Sequence, residues 1–226
     1  MAERLRNDPE LAATTFIVID FEATTPTGAR PEPIDVAAIH MRLDGLDWHY
    51  VHEFTELMRP PAHAPVTPFD TMQTGITAQM VAAARPATAV LGELDQLMDP
   101  TQQYMLVAHN AHTEAGMIND YKEHCPKLAH TDLLDTVRLA KALLPDLGSH
   151  KLDAMLAHFG IAQPPDRHRA LPDVQVTAAV FAKLLAFADQ QRVWPSMAQV
   201  RRAGLIVSKS NRPQQDSLFG DLEATP

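Results

Sequence analysis

The chain has 226 residues, of which 46% are hydrophobic and 21% charged, with a formal net charge of −9 at pH 7. This length suits one domain with a tail, and the composition is that of an ordinary globular protein. No apolar run approaches the roughly 18 residues of a membrane span, and the charged N-terminus lacks a signal-peptide core. The acidic balance argues against a protein that coats nucleic acid non-specifically, because such proteins present a basic surface.

Cys125 is the only cysteine. Because no internal disulfide can form and no apolar run suits a membrane, we expect a cytoplasmic protein without a membrane partner. We expect four segments, namely an N-terminal extension over residues 1–9, a domain over 10–190, a short helix or linker over 191–207 and a polar, disordered tail over 208–226.

The first third of the chain predicts three strands. Residues 14–20 form an unbroken apolar, β-rich run that is typical of a strand buried on both faces. After a loop over 24–33, strands are expected at 34–41 and 48–57, and the short connection between them predicts an antiparallel hairpin. The following segment is expected to lack regular structure because of four prolines, Pro60, Pro61, Pro65 and Pro68.

The rest of the chain alternates helices with short strands. Thr77 predicts an N-cap for a helix over 78–84, and Pro172 suits the first turn of a long helix ending near residue 190. Other elements are expected as strands at 104–108 and 131–134 and helices at 87–98, 111–124, 136–144, 151–159 and 196–203. An early meander followed by alternating strands and helices is typical of an α/β fold with a mixed sheet.

Two carboxylates stand at the end of the first strand. Asp20 and Glu22 are two residues apart, so both side chains point to one face. The C-terminal end of a strand is where α/β sheets place ligand sites. Two such carboxylates repel each other unless a cation or a proton lies between them, and Mg²⁺ or Mn²⁺ prefers oxygen ligands. On its own, this pattern fits a solvated strand end equally well.

Two further motifs follow. Residues 107–111 have the sequence V-A-H-N-A at a strand-to-helix turn, and Glu114 lies in the next helix. His168 and Asp173 belong to H-R-A-L-P-D, where Pro172 places His168 before or at the start of the helix and Asp173 in its first turn. Together these residues resemble the DnaQ-like exonucleases of the DEDD superfamily, in the branch whose last motif is H-x-A-x-x-D. The resemblance covers residues 14–188.

This resemblance implies a ribonuclease H-like core, with a mixed five-stranded sheet flanked by helices, and cleavage of nucleotides from a 3′ end. It implies that two divalent metal ions, Mg²⁺ or Mn²⁺, clamp the scissile phosphate and are held by Asp20, Glu22, Glu114 and Asp173. His168 is implied as the general base, because its ordinary pKa of about 6.5 suits proton transfer near neutral pH.

Glu114 departs from the family, which has Asp at this position. Mg²⁺ demands near-ideal octahedral geometry, so the longer side chain matters. We expect one of three outcomes: the position of the helix compensates for the extra length, the metal site is weaker, or its preference shifts toward Mn²⁺. If Glu114 has ended catalysis, the chain is instead a silent module that binds nucleic-acid ends.

The resemblance also implies contacts to the terminal nucleotide. The contacts after the first strand are Ala23 and Thr24, and those at a G-I-T motif are Thr74, Gly75 and Ile76. The contacts at the strand-to-helix turn are His109 and Asn110. Residues 33–39 and the pair Asp135 and Thr136 also match the family and are expected to be scaffold. Single-stranded DNA is the expected substrate, in proofreading or repair, and the alternative is an exoribonuclease that trims RNA.

The polar tail contains Q-D-S-L-F at residues 215–219, which resembles the bacterial sliding-clamp-binding pentapeptide. Leu218 and Phe219 would anchor in an apolar pocket, with Gln215 at its rim. Asp216 stands where the family motif has an aliphatic residue, so an apolar patch that folds back on the domain explains the tail equally well. A sliding clamp and a DNA polymerase are therefore the partners expected besides nucleic acid.

Overall fold

The computed structural model describes residues 4–44, 47–165 and 168–211. Within this part of the chain one sheet contains seven strands, which are β1 (Thr14–Ala23), β2 (Pro33–Asp44), β3 (Asp47–Arg59), β4 (Arg85–Pro86), β5 (Gln103–Ala108), β6 (Leu133–Asp135) and β7 (Leu205–Ile206). Their order across the sheet is β4-β3-β2-β1-β5-β6-β7. β2 is antiparallel to β1 and β3, whereas β5 runs parallel to β1 and β6.

The mixed sheet confirms the predicted α/β class and the β2–β3 hairpin. The expected count of five strands omits β4 and β7. Each of these has two residues, which is too short to leave a periodic pattern in the sequence.

Helices cover both faces of the sheet. They are α1 (Pro9–Ala13), α2 (Pro68–Thr74), α3 (Ala78–Ala82), α4 (Ala87–Gln96), α5 (His112–Asp120), α6 (Pro126–His130), α7 (Thr136–Leu143), α8 (Leu152–Phe159), α9 (Ala170–Gln191) and α10 (Met197–Gly204). Phe16 and Val18 face a core built with α7, α8, α9 and α10, while Ile17 and Ile19 face a core built with α4, α5 and α6. This alternation explains the continuous apolar run in β1.

The long helix α9 is the centre of the first core. Its length and hydropathy would allow it to cross a membrane, but 56% of its apolar 18-residue stretch is buried within the protein. Val174, Phe181 and Leu184 are fully buried against the sheet. α9 is therefore the core helix of a folded domain.

The prolines after β3 predict no regular structure, and that prediction is wrong for α2. Pro68 occupies the first turn, where a missing N–H leaves no hydrogen bond unmade. Thr67 and Asp70 form a capping box, in which the Thr67 amide donates to Asp70 Oδ2 at 2.8 Å. The pattern T-x-x-D is a helix-start signal that could have located α2 from the sequence.

Both ends of the described chain pack on the domain. Leu5 is buried in the α9 core, and Arg4 and Arg6 donate hydrogen bonds to the Asp189 carboxylate. The prediction of a disordered tail from residue 208 is wrong for residues 208–211. The buried Ser208 donates its amide to Asp132 Oδ1 at 2.9 Å, a polar contact that no apolar pattern announces. The predicted clamp motif with Gln215, Leu218 and Phe219 lies outside the described residues.

Candidate active site

The C-terminal ends of β1 and β5 lie beside each other. The two strands are parallel, with pairs that run from Thr14 opposite Gln103 to Val18 opposite Val107. Asp20 and Glu22 continue the face of β1 that carries Phe16 further in, because alternate residues of a strand share a face. The face thus changes from apolar to acidic where β1 leaves the core.

Asp173 joins these two carboxylates from the first turn of α9. One ligand oxygen each from Asp20, Glu22 and Asp173 lies within 4.8 Å of the other two. Asp173 is buried, and the other two side chains are half-buried. Carboxylates this close repel each other unless positive charge lies among them, and their oxygens suit a hard divalent cation. The structure therefore brings together three of the four predicted metal ligands.

Glu114 lies next to this group rather than within it. Its side chain is in the first turn of α5 and only 4% exposed, and its Oε2 has no hydrogen-bond partner among the described residues. Burial, together with the negative charges of Asp135 and Glu22, raises the pKa of Glu114 to about 8. A buried carboxylate in such company is stabilised by a cation, so the four acidic residues fit a divalent metal site.

His168 lies on the loop directly before α9, as predicted. Its side chain is exposed, and its backbone has a φ of 68°. This left-handed conformation costs a residue with a side chain about 1 kcal/mol or more, and such strain concentrates at functional sites. An exposed imidazole close in the chain to Asp173 can accept a proton and pass it to solvent.

The last residue of β1 and the first residue of the loop after it are two of the predicted substrate contacts. Thr24 is fully buried. Its amide donates to the Glu32 carbonyl at 2.9 Å, and its hydroxyl oxygen accepts a hydrogen bond from the Glu32 amide at 3.1 Å. Ala23 is half-buried beside it. Asp70, which the sequence analysis missed, ties this loop to α2, because its Oδ1 accepts the Thr25 amide at 2.9 Å. The T-x-x-D signal of the capping box would have pointed to Asp70.

The G-I-T motif forms a turn at the end of α2. Thr74 and Ile76 are buried, and the Ile76 amide donates to Thr74 Oγ1 at 3.1 Å. Gly75 is exposed, with a φ of 71° that favours glycine. The turn therefore offers its backbone, rather than the side chains of Thr74 and Ile76, to any ligand.

The strand-to-helix turn after β5 is held by β6. Asp135 Oδ1 accepts the amides of Asn110 at 3.2 Å and Val137 at 2.8 Å, which makes Asp135 a scaffold residue as predicted. The bond fixes Asn110 in a left-handed conformation with a φ of 68°. His109 Nδ1 lies 2.8 Å from Thr136 Oγ1.

This turn opens onto a cavity of about 340 Å³. It is lined by His109, Asn110, Val137, Lys141, His150 and Lys151. Lys141 and Lys151 are exposed, and neither makes an ion pair with any residue between 4 and 211 that the structure describes. These two ammonium groups form a cationic surface on a protein with a net charge of −9.

Sequence comparison places the chain among nucleases. A family model described as Exonuclease, RNase_T, matches residues 17–181. The PolC-type DNA polymerase III of Streptococcus sanguinis strain SK36 is 34% identical over 172 residues, which are 75% of this chain and 11% of that protein. The PolC-type enzyme of Streptococcus agalactiae serotype III strain NEM316 is 30% identical over 186 residues, which are 82% of this chain and 12% of that protein. The chain thus spans only about a ninth of these relatives.

Structural comparison shows the same fold in solved nucleases. The nuclease domain of 3′hExo, a DEDDh family member bound to rAMP, has a TM-score of 0.67 at 18% identity, covering 81% of this chain and 96% of that one. E. coli exonuclease I in complex with a dT13 oligonucleotide has a TM-score of 0.64 at 20% identity, with coverage of 80% and 42%. Exonuclease X in complex with 5′ overhanging duplex DNA has a TM-score of 0.56 at 22% identity, with coverage of 82% and 98%.

Proposed function

Since this chain belongs to the DnaQ-like exonucleases of the DEDD superfamily, we propose that it removes nucleoside 5′-monophosphates stepwise from the 3′ end of single-stranded DNA. The observation that carries the proposal is the acidic group, in which ligand oxygens of Asp20, Glu22 and Asp173 lie within 4.8 Å of one another. Glu114 supplies a fourth carboxylate, which is buried beside them and has one oxygen without a hydrogen-bond partner in the described part of the chain.

These four carboxylates would hold two divalent cations, Mg²⁺ or Mn²⁺. When bound, such ions supply positive charge that lowers the pKa of the attacking water and neutralises the leaving oxygen. The protein's own contribution is to hold the carboxylates in place. The β1–β2 ladder holds Asp20 and Glu22, and the backbone of α9 holds Asp173, whose amide donates to the Arg169 carbonyl at 3.2 Å.

His168 is the proposed general base. Its imidazole accepts the proton of the water whose oxygen bonds to phosphorus, while the 3′ oxygen of the preceding nucleotide leaves. The proton then passes to solvent, to which His168 is exposed.

Lys141 and Lys151 are proposed to contact phosphates of the strand upstream of its 3′ end. The cavity that they line begins at His109 and Asn110, directly after β5, whose end lies beside that of β1. Unpaired ammonium groups attract phosphate, and the energy of such contacts falls with added salt. Acidic ligands at the reacting phosphate and lysines behind it reconcile a net charge of −9 with nucleic-acid binding.

The relatives at 30–34% identity are PolC-type DNA polymerases, which favours DNA as the substrate and a polymerase as the partner. We propose that the chain acts in proofreading or repair on this basis. The sequence motif with Gln215, Leu218 and Phe219 supports recruitment by a sliding clamp.

Glu114 favours a second candidate function. A glutamate that reaches farther than the family aspartate and lies outside the group of three can leave the metal site incomplete. The chain would then occupy 3′ ends without cleaving them.

Digestion of a 5′-labelled oligonucleotide tests these functions. The substrate is offered as single-stranded DNA and as RNA, in Mg²⁺ and separately in Mn²⁺, with Asp20→Ala as control. A ladder that shortens from the 3′ end, absent in the control, is expected with DNA. A ladder with RNA alone would make the chain an exoribonuclease. No product under any condition would favour the silent module, and a gain of activity in Glu114→Asp would identify the cause.

A further inference from the structure

Arg169 and Asp35 form an ion pair beside the proposed active site. Arg169 Nε donates to Asp35 Oδ2 at 3.0 Å, and the two side chains are 34% and 3% exposed. The same oxygen accepts the Ala170 amide at 3.4 Å. One carboxylate on β2 therefore holds two consecutive residues of the segment that follows His168.

This carboxylate stands where the start of α9 needs an acceptor. Helix N-termini leave their first amides without partners, and the Arg169 side chain at the N-cap position makes no capping bond. Asp35 supplies the acceptor from another strand, and its negative charge interacts favourably with the helix dipole. The start of α9 is thus fixed relative to β2.

The register of the sheet ties this contact to the metal ligands. Asp35 lies directly opposite Glu22 across the β1–β2 pair, so both side chains point to the same face. From that position Asp35 holds the segment that also carries His168 and Asp173. Asp35 therefore links the segment that contains His168, the predicted general base, to the strand pair that contains Glu22.

The backbone of this segment is one that His168 would not favour alone. Its φ is 68°, and the next residue, Arg169, is extended, with a φ of −129°. A left-handed histidine persists only when its surroundings hold it. Burial raises the pKa of Asp35, although the Arg169 guanidinium beside it opposes this effect. A buried ion pair often adds little to the free energy of unfolding. The effect to test for this pair is therefore on the position of the segment that it holds.

We propose that the Asp35–Arg169 pair is a positioning clamp that holds His168 where it accepts the proton of the attacking water. This inference rests on the proposed function. A merely structural pair would support the fold and leave the chemistry of His168 untouched, so the two roles separate experimentally.

A double-mutant cycle with Arg169→Gln and His168→Ala tests the clamp in steady-state digestions of single-stranded DNA. We expect Arg169→Gln to lower kcat about tenfold and to leave KM within about twofold, because only the positioning of a general base is lost. In the His168→Ala background the same substitution should change the residual rate by less than about twofold. Asp35→Asn should reproduce Arg169→Gln, and combining the two should add little.

Arg201 offers a matched control. Its Nε donates to Glu10 Oε1 at 3.0 Å, and its side chain is 33% exposed, close to the values for Arg169. It lies near Gln103 and Tyr104 at the start of β5, the opposite end of the sheet from the acidic group. Arg201→Gln is expected to leave kcat unchanged in both backgrounds.

Hydrogen exchange of the metal-free protein gives a readout without catalysis. Arg169→Gln should speed amide exchange at residues 168–171, and Arg201→Gln should not. Equal loss of rate with and without His168 would overturn the clamp, because Arg169 would then act through Asp173 or the fold. Unchanged activity of Arg169→Gln, or unchanged exchange, would overturn it as well. If the wild-type protein degrades nothing, the proposed function fails, and exchange still decides whether the pair holds the loop.

Discussion

Asp173, in the first turn of α9, places a carboxylate oxygen within 4.8 Å of one on Asp20, at the end of β1. Neither residue is near the other in the chain. The contact exists because α9 packs along the face of β1 that carries Phe16 and Val18. One apolar core thus brings the first and last acidic motifs together. The carboxylates of Asp20 and Asp173 are then close enough to repel each other, and a bound cation would relieve that repulsion.

Asp173→Asn should separate metal binding from folding. We expect it to lower the rate of 3′ digestion at least about a thousandfold, because the proposed metal site would lose one of its ligands. In the metal-free protein it should raise Tm by a few degrees, since one of three close negative charges disappears. Thermal unfolding with and without Mn²⁺ measures both effects. Glu123→Gln, which removes an exposed acid, should alter neither.

Glu114 should make the metal-free protein less stable as the pH rises. Its pKa of about 8 in the folded state exceeds the ordinary value of 4.5, so the folded state retains a proton that the unfolded state loses between these pH values. The free energy of unfolding should therefore fall across this window, by up to about 4 kcal/mol. Glu114→Gln should remove most of the fall, and urea unfolding between pH 5 and 8.5 in a chelator would measure it. An equally steep fall in Glu114→Gln would show that another group is responsible.

His40 should make the protein less stable as the pH falls below 6.5. It is buried on β2, its Nε2 has no hydrogen-bond partner among the described residues, and burial, with His52 nearby, lowers its pKa from 6.5 to about 4. The unfolded state binds a proton in this window and the folded state does not. Stability should therefore decline as the pH falls from 6.5 to 4, by up to about 3 kcal/mol. His40→Leu should flatten that decline, whereas His49→Leu, at an exposed site, should leave it intact.

Lys141 and Lys151 should control affinity rather than chemistry. Replacing both by Gln is expected to raise the KM for single-stranded DNA and to lower the slope of log affinity against log salt by up to about 2. The rate at saturating DNA should stay within about twofold. Binding to a dT oligonucleotide in Ca²⁺ at several salt concentrations measures the slope. A double variant with the wild-type slope would place the strand elsewhere.

Local patterns were sufficient for much of this protein. The structure confirms the strand predicted from the apolar run of β1 and the hairpin after it, because strand propensity and turn chemistry act within a few residues. The helix beginning near Pro172 was also predicted, and it places Asp173 in its first turn as expected. The capping box of α2 is equally local, but the prolines around it favour irregular structure and conflict with this helix-start signal.

The sequence by itself determined which acidic residues are the candidate metal ligands, that Asp20 and Glu22 share a face, and that His168 precedes a helix. These features depend on the strand period and on proline chemistry, which are written locally. Only the tertiary structure decided that Glu114 is buried, with an oxygen that no described residue bonds, and that Asp35 reaches Arg169 across the fold. Burial and ion pairing depend on which distant segments the core packs together, and no local pattern encodes that choice.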